Sequence, residues 1–572
     1  MDLAEGFDYV VVGAGAAGAI VARRLAEDPA VSVCLLEAGP PDRHPYLHLP
    51  AGFIKMLFDP AYTWTYGSEP DPRTLDRRVP LPQGKTLGGS SAINGLIYMR
   101  GLASDYDHWR QLGNGGWSFA EVLPFFRQAE DYDGWAALGN PGWSFADVLP
   151  YFQRNERWLG SMSSTDCSAR RGTAGKVPVT PIDWTHPICE AFITGAQEQG
   201  LPRNPDYNGD TQAGVGYFQR TIHRGWRQST ARAYLRSPPP NLAVRTHAQA
   251  TRIVLDGTRA TGVAYAQGGP QGNAKAVGAR REVIVCAGAV NTPRLLQLSG
   301  IGPADQLQAL GLPVAHPLAG VGAHLKDHFS VRVVGRVRRG SALTINELAR
   351  VPRLWGQAAR WLAGKPSILA LSPSLVHFFW HSGLGDGLRP DLQGVFTPAS
   401  YREGYVGQLD TYPGMTCGVW AHRPRSEGEV RLRSNDPWAD PLIRPNYLSH
   451  EEDLRVLSAG VRLARGLLRT RALAPFFETE AMPGADAQSD EDIIAYIRRY
   501  GVSSYHLCGT ARMGPAADAG AVVDAQLRVH GLQGLRVADS SVMPAIPSAN
   551  ICAATMMIGE KAADLILERN TC

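Results

Sequence analysis

The chain has 572 residues, 44% of them hydrophobic and 19% charged, with a formal net charge of +4. That length exceeds one ordinary core and predicts two sequential or intertwined domains, and so small a charge gives no case for nucleic acid. The basic residues are scattered, as at Arg280-Arg281 and Arg498-Arg499, and no 18-residue uncharged apolar run predicts a spanning helix, although peripheral membrane association stays open.

The N-terminal Met1-Asp2-Leu3-Ala4-Glu5 has neither a basic region nor an apolar core, so no signal peptide is expected. The eight cysteines are widely spaced and lack a C-x-x-C pair. This spacing suits a reducing cytoplasm and predicts neither a disulfide framework nor a metal site.

Tyr9 to Val12 reads as a buried strand. Gly13-Ala14-Gly15-Ala16-Ala17-Gly18 follows, then an alanine-rich helix to Glu27, a second apolar run from Val31 to Leu36, and Glu37-Ala38-Gly39. Strand, glycine turn, helix, strand and acid form a dinucleotide-binding fingerprint. In that reading Gly13 makes the turn, Gly15 admits a pyrophosphate and Gly18 lets the helix pack on the strand. Glu37, 19 residues after Gly18, accepts from an adenosine ribose. By itself the fingerprint also fits a nicotinamide-linked dehydrogenase.

Pro82 to Gly101 is a second glycine-rich block, with Gly88-Gly89-Ser90-Ser91 after Lys85. Its glycines allow backbone to approach a flat anionic ligand, and its serines are expected to cap a helix. A tandem repeat follows: residues 107–132 and 133–158 agree at 15 of 26 positions. The repeat reads as a turn-plus-helix unit, either a lid beside the site or a neutral duplication.

Loops are predicted at Ser237-Pro238-Pro239-Pro240 and from Gln267 to Gly278. Glu282 to Ala287 is another buried-type strand, and Gly288-Ala289-Val290-Asn291-Thr292-Pro293 opens a leucine-rich helix that stops at Ser299-Gly300-Ile301-Gly302-Pro303. Gly428 to Arg433 alternates with period two. Asp453–Arg469 and Asp490–Tyr500 read as amphipathic helices, Leu535 to Asp539 as a strand, and Ala553 to Leu567 as a small-residue helix.

Together these blocks resemble the glucose–methanol–choline flavoprotein oxidoreductases. Gly84 to Gly95 resembles the first family signature, and Gly288 to Pro303 the second. His506-Leu507-Cys508-Gly509-Thr510-Ala511-Arg512-Met513-Gly514 with Val537 to Pro544 resembles the C-terminal block, and Arg423 to Ile443 looks like part of the substrate-domain sheet.

The resemblance implies an α/β and α+β architecture. A Rossmann-like FAD-binding domain would be built from separated segments, with a substrate domain of antiparallel sheet and helices roofing the flavin. The expected divisions are residues 1–160, 161–325 with excursions into the substrate domain, 326–500 as the substrate domain, and 501–572. Cofactor contacts are implied at Gly13, Gly15, Ala16, Ala17, Gly18, Glu37 and Ala38, at Gly88, Gly89, Ser90, Asn94 and Gly95, and at Asp539 and Asn550. The activity implied is FAD-dependent oxidation of a primary alcohol to an aldehyde, with oxygen or a quinone as electron acceptor. A lyase or light-driven decarboxylase on the same fold is the alternative.

Such chemistry needs a base near neutral pKa, which the resemblance puts at His506, and a donor to the substrate oxygen, which it puts at Asn550. His324, His328 and His530 are read as structural. Some relatives tether FAD through a histidine at the position that Ile93 holds here, so noncovalent FAD is expected. Cys552 and Ala554 alter the wall behind Asn550, which favours a neutral aryl or alkyl alcohol over choline.

Overall fold

The computed structural model describes residues 5–101, 135–161, 170–209, 211–385, 390–402 and 408–567. The first copy of the repeat lies outside these residues.

A seven-stranded sheet carries the nucleotide fingerprint. Its order is Leu242–Arg245, Val33–Leu36, Gly6–Val12, Asn273–Val285, Arg259–Gln267 and Ala248–Asp256, with Leu535–Val537 also paired to Asn273–Val285. The first strand runs parallel to both neighbours, Val12 meeting Leu36 on one side and Val285 on the other. Val10, Val11, Val33 and Val283 are all buried, as expected of a sheet covered on both faces. The strand Asn273–Val285 joins two regimes. Its end pairs in parallel, while Asn273 to Gly278 pairs antiparallel with Gly262 to Gln267. The stretch expected to be a loop from Gln267 to Gly278 is therefore half strand, because its alternation was hidden among small residues.

The helix Gly18–Leu25 packs on the C-terminal helix Cys552–Leu567, which is buried on nearly every side. Small residues allow the approach: a Cβ on Gly559 would lie 2.9 Å from the Ala17 carbonyl oxygen. The helix Phe145–Asn155, from the second copy of the repeat, also packs on Cys552–Leu567, and its Arg154 shares Asp564 with Arg24 of Gly18–Leu25.

A second seven-stranded sheet has the order Phe477–Met482, Phe329–Val337, Gly414–Ala421, Leu392–Thr397, Val376–Trp380 and Gly214–Tyr217, with Val502–Ser503 beside Phe329–Val337. All its pairings are antiparallel. The helix Glu451–Leu468 packs on one face, burying Val331, Val333 and Val419 between sheet and helices. The other face looks toward the first sheet. Val502–Ser503 thus belongs to the substrate sheet, across the boundary expected at residue 500. Glu429–Arg431 pairs only with Leu442–Arg444, in a separate two-stranded ribbon. The period-two pattern there was real, but it marked a ribbon outside the substrate sheet.

Candidate active site

The two glycine-rich blocks meet. Gly88 donates its N–H to the Ala14 carbonyl at 2.8 Å, and a Cβ on Gly89 would stand 2.7 Å from the Gly15 Cα. Gly13 has a φ of +97°, and a Cβ there would lie 2.5 Å from the Cys286 carbonyl oxygen; only glycine fits that turn. A Cβ on Gly18 would strike the Gly13 carbonyl at 1.9 Å, so this glycine sets the close packing of helix on strand. Ser90 and Ser91 do not cap a helix. They sit in a single 3₁₀ turn, Gly89–Ala92, where the Ser91 hydroxyl donates to the Gly88 carbonyl at 2.6 Å and Ser90 Oγ accepts from the Gly84 N–H.

Beside these loops lies a cavity of about 400 Å³ that extends between the two sheets. It is lined by Gly13, Gly15, Ala16, Ala17, Glu37, Ala38, Gly89, Ser90, Asn94, Gly95, Asp539 and Asn550. Gly18 and Gly88 lie behind this lining: Gly18 packs on the strand turn, and Gly88 joins the two loops. The position a Cβ would take on Gly15 meets nothing closer than the Cys286 carbonyl oxygen at 4.0 Å, so bare backbone faces open space at a helix N-terminus, as a pyrophosphate requires. Glu37 accepts from the N–H groups of Ala14 at 2.9 Å and Gly39 at 2.8 Å. Burial raises its pKa to about 7, and ribose hydroxyls donating to it would favour the charged form. Asp539 accepts from the Gly288 N–H at 2.8 Å and the Thr292 hydroxyl at 2.6 Å. It thereby pins the second nucleotide-domain helix to the cavity wall. These residues fit a dinucleotide whose phosphates rest on backbone and whose ribose meets Glu37.

At the other end of the cavity, His506 Nε2 lies 3.0 Å from Asn550 Nδ2. Asn550 Oδ1 accepts from Gln393 Nε2 at 3.2 Å. On its other side His506 Nδ1 meets His328 Nδ1 at 2.9 Å, and His328 Nε2 meets the His422 carbonyl at 2.9 Å. Asp327 holds the backbone that presents His506, accepting from the His506 N–H at 2.8 Å and from the Tyr447 and Ser503 hydroxyls at 2.5 Å each. Burial raises Asp327 to about 6. Burial, helped by the neighbouring His328, holds His506 well below the usual imidazole value.

His506 and Asn550 are thus brought together as the motifs suggested, and His328, read from the sequence as structural, stands directly against His506. Gln393 and Asp327, and the contact of His328 with His506, escaped sequence reasoning because the strand Leu392–Thr397 and the segment just before Phe329–Val337 deliver them from distant parts of the chain. His324 bonds Glu427 at 3.1 Å and His530 the Gly514 carbonyl at 3.0 Å; neither lines the cavity. Burial pushes the Cys552 thiol up to about 12, which removes it as a nucleophile.

The described residues of the second copy of the repeat form no lid. None of its described residues lines the cavity, and Trp135, Trp143 and Phe152 are buried in the nucleotide-domain core. Its apolar face is used by Cys552–Leu567, so it cannot cover the opening. Among the described residues no cluster of His, Cys, Asp or Glu could hold a metal. None of the described helices is long and apolar enough to cross a membrane.

Models of the N- and C-terminal parts of the GMC oxidoreductases match residues 7–330 and 424–559. The chain is 38% identical over 566 residues to an oxygen-dependent choline dehydrogenase of Rhizobium etli, covering 98% of this chain and 95% of that one. Among solved structures, pyridoxine 4-oxidase from Mesorbium loti superposes with a TM-score of 0.81 at 28% identity, over 98% of this chain and 99% of that one. Formate oxidase from Aspergillus oryzae gives 0.87 at 25% identity over the whole of both. No finding supports the lyase or decarboxylase alternative. With the dinucleotide cradle and the His506–Asn550 pair facing one cavity, the chain belongs to the GMC oxidoreductases, enzymes that oxidise alcohols with FAD.

Proposed function

We propose that the protein oxidises a primary alcohol to the aldehyde, with His506 Nε2 taking the hydroxyl proton. The observation that carries this reading is the convergence of His506 Nε2 and Asn550 Nδ2, 3.0 Å apart, on one point of the cavity. FAD, when bound, supplies the hydride acceptor. Gln393 turns the Asn550 amide so that its N–H₂ faces His506, and an amide nitrogen only donates. His506 Nε2 therefore accepts and stands unprotonated, ready for an alcohol O–H. Asn550 is then free to donate to the substrate oxygen as negative charge grows there.

Ile93 lines the cavity with hydrocarbon alone, which supports noncovalent FAD; flavin staying with the polypeptide after acid precipitation would oppose this. The six described cysteines are free thiols, and this supports the cytoplasm as the compartment. Oxygen or a quinone is the electron acceptor. The test is anaerobic mixing with a panel of alcohols, followed by air. Bleaching of the 450 nm band by an alcohol is the expected result, and recovery in air selects oxygen. A bound flavin that no alcohol bleaches refutes the reading.

A further inference from the structure

Apart from His506, the charged side chains lining the cavity divide by sheet. Glu37, Asp539 and Arg294 belong to the nucleotide half, while Arg332 alone stands on the substrate sheet. Arg332 sits on Phe329–Val337, where alternation puts Ser330 and Arg332 on the cavity face and Val331 and Val333 in the core. Its side chain crosses Gly418 on the neighbouring strand, where an added Cβ would lie 3.9 Å from Arg332 Cγ. Its guanidinium carbon lies 5.8 Å from the Tyr401 ring centroid. The guanidinium has no hydrogen bond or ion pair with any described residue, and the described residues that line this half include no carboxylate.

A guanidinium always carries its charge, and half-buried without a counterion it is an incomplete pair. Its planar fork matches a carboxylate, while a cationic group beside it is repelled. The register also sets a length. Ser330 pairs with Trp420, whose ring is 6.3 Å from that of His506. Arg332 lies two residues further along, on the order of 7 Å of strand. An anion bound there is therefore several bonds from a hydroxyl at His506.

Resting on the alcohol-oxidase reading above, we propose that the substrate is an alcohol bearing a carboxylate across a ring or short chain, and that Arg332 binds that carboxylate. The neutral alcohol expected from the sequence gives way to this class.

The test compares 4-(hydroxymethyl)benzoate, benzyl alcohol and choline in anaerobic flavin reduction. It also measures binding of benzoate and benzyltrimethylammonium, which cannot be oxidised, by the shift of the flavin spectrum. Wild-type protein should prefer the carboxylate over its neutral analogue by about ten- to hundredfold in Kd, the range for a hydrogen-bonded charge. Arg332→Lys should keep much of that ratio, Arg332→Ala should bring it near one and Arg332→Glu should reverse it, with flavin content confirming the fold. Equal binding of benzoate and benzyltrimethylammonium, or a ratio unmoved in Arg332→Ala, overturns the proposal. Arg332-dependent benzoate binding with no alcohol oxidised would keep Arg332 as a carboxylate-binding residue and overturn the alcohol-oxidase reading, and with it the alcohol as substrate.

Discussion

The Nδ1 atoms of His328 and His506 lie 2.9 Å apart, and one proton serves both. The ends of the chain decide which ring carries it. Asn550 Nδ2 can only donate, so His506 Nε2 accepts and the His506 proton sits on Nδ1. The His422 carbonyl can only accept, so His328 carries its proton on Nε2 and offers a bare Nδ1 to His506. Every donor in the series is then satisfied. His328 selects the tautomer that leaves the basic nitrogen facing the cavity.

If His506 is the base, His506→Ala should keep its flavin yet lose at least about a hundredfold in the rate of flavin reduction. Asn550→Ala should cost about 10–10³-fold, the range around the loss of one donor to a developing oxyanion. Stopped-flow reduction under argon measures both. A near-normal rate in His506→Ala would remove the residue from its role.

His328→Leu takes away the acceptor for the His506 proton and the nearby group that opposes its protonation. The expected outcome is a slower reduction with little change in KM, together with a shift in pH profile. The neutral His506 is the active form, so activity falls as pH drops through its pKa, which lies well below 6.5 in the native protein. Without His328 that acid limb should move to higher pH. His328→Gln, whose carbonyl can accept the proton, should recover part of the rate. A structural loss alone would lower flavin content without moving the limb.

Features carried by local spacing were legible in the sequence. The roles of Gly13 and Gly18 follow from a turn and a helix–strand contact within a dozen residues. The helix Asp490–Tyr500 matches its prediction, because Ser489 and Asp492 close a capping box at its start. His328 and Arg332 were not legible in this way. The alternation of Ser330, Val331, Arg332 and Val333 marks a strand, but only its pairing with Gly414–Ala421 decides which face meets the cavity. The sequence left the repeat between a lid and a neutral duplication for a related reason: its aromatics say that a surface is buried, not which one.

His377 offers a test of buried charge away from the reaction. Its ring is fully buried, 4.5 Å from that of Tyr207, and burial holds its pKa down to about 3. Between the unfolded value near 6.5 and that value, the unfolded chain takes a proton that the native protein refuses. Its contribution to stability is complete above about pH 6.5 and lost as pH falls. Relative to His377→Phe, the wild type should therefore lose about 1.4 kcal/mol per pH unit below 6.5. Urea unfolding at pH 7.5 and 5.0 measures the difference, and a constant gap would show that the native imidazole titrates as the unfolded one does.

The repeat supplies the last prediction. Trp143 is fully buried, donates its indole N–H to the Ala525 carbonyl at 2.6 Å and lies 5.9 Å from the Trp135 ring. The Lys561 ammonium stands 5.1 Å from its centroid. The ring thus ties the repeat unit to the C-terminal helix on the side away from the cavity. Trp143→Ala should leave a large hole and an unpaired carbonyl, destabilising by about 3–5 kcal/mol. Because no described residue of this copy lines the cavity, KM across an alcohol panel should stay within about twofold at temperatures where the variant is folded. A lid would give the opposite pattern, a raised KM for bulky alcohols with unfolding unchanged. Denaturant melts read beside steady-state kinetics on one preparation separate the two.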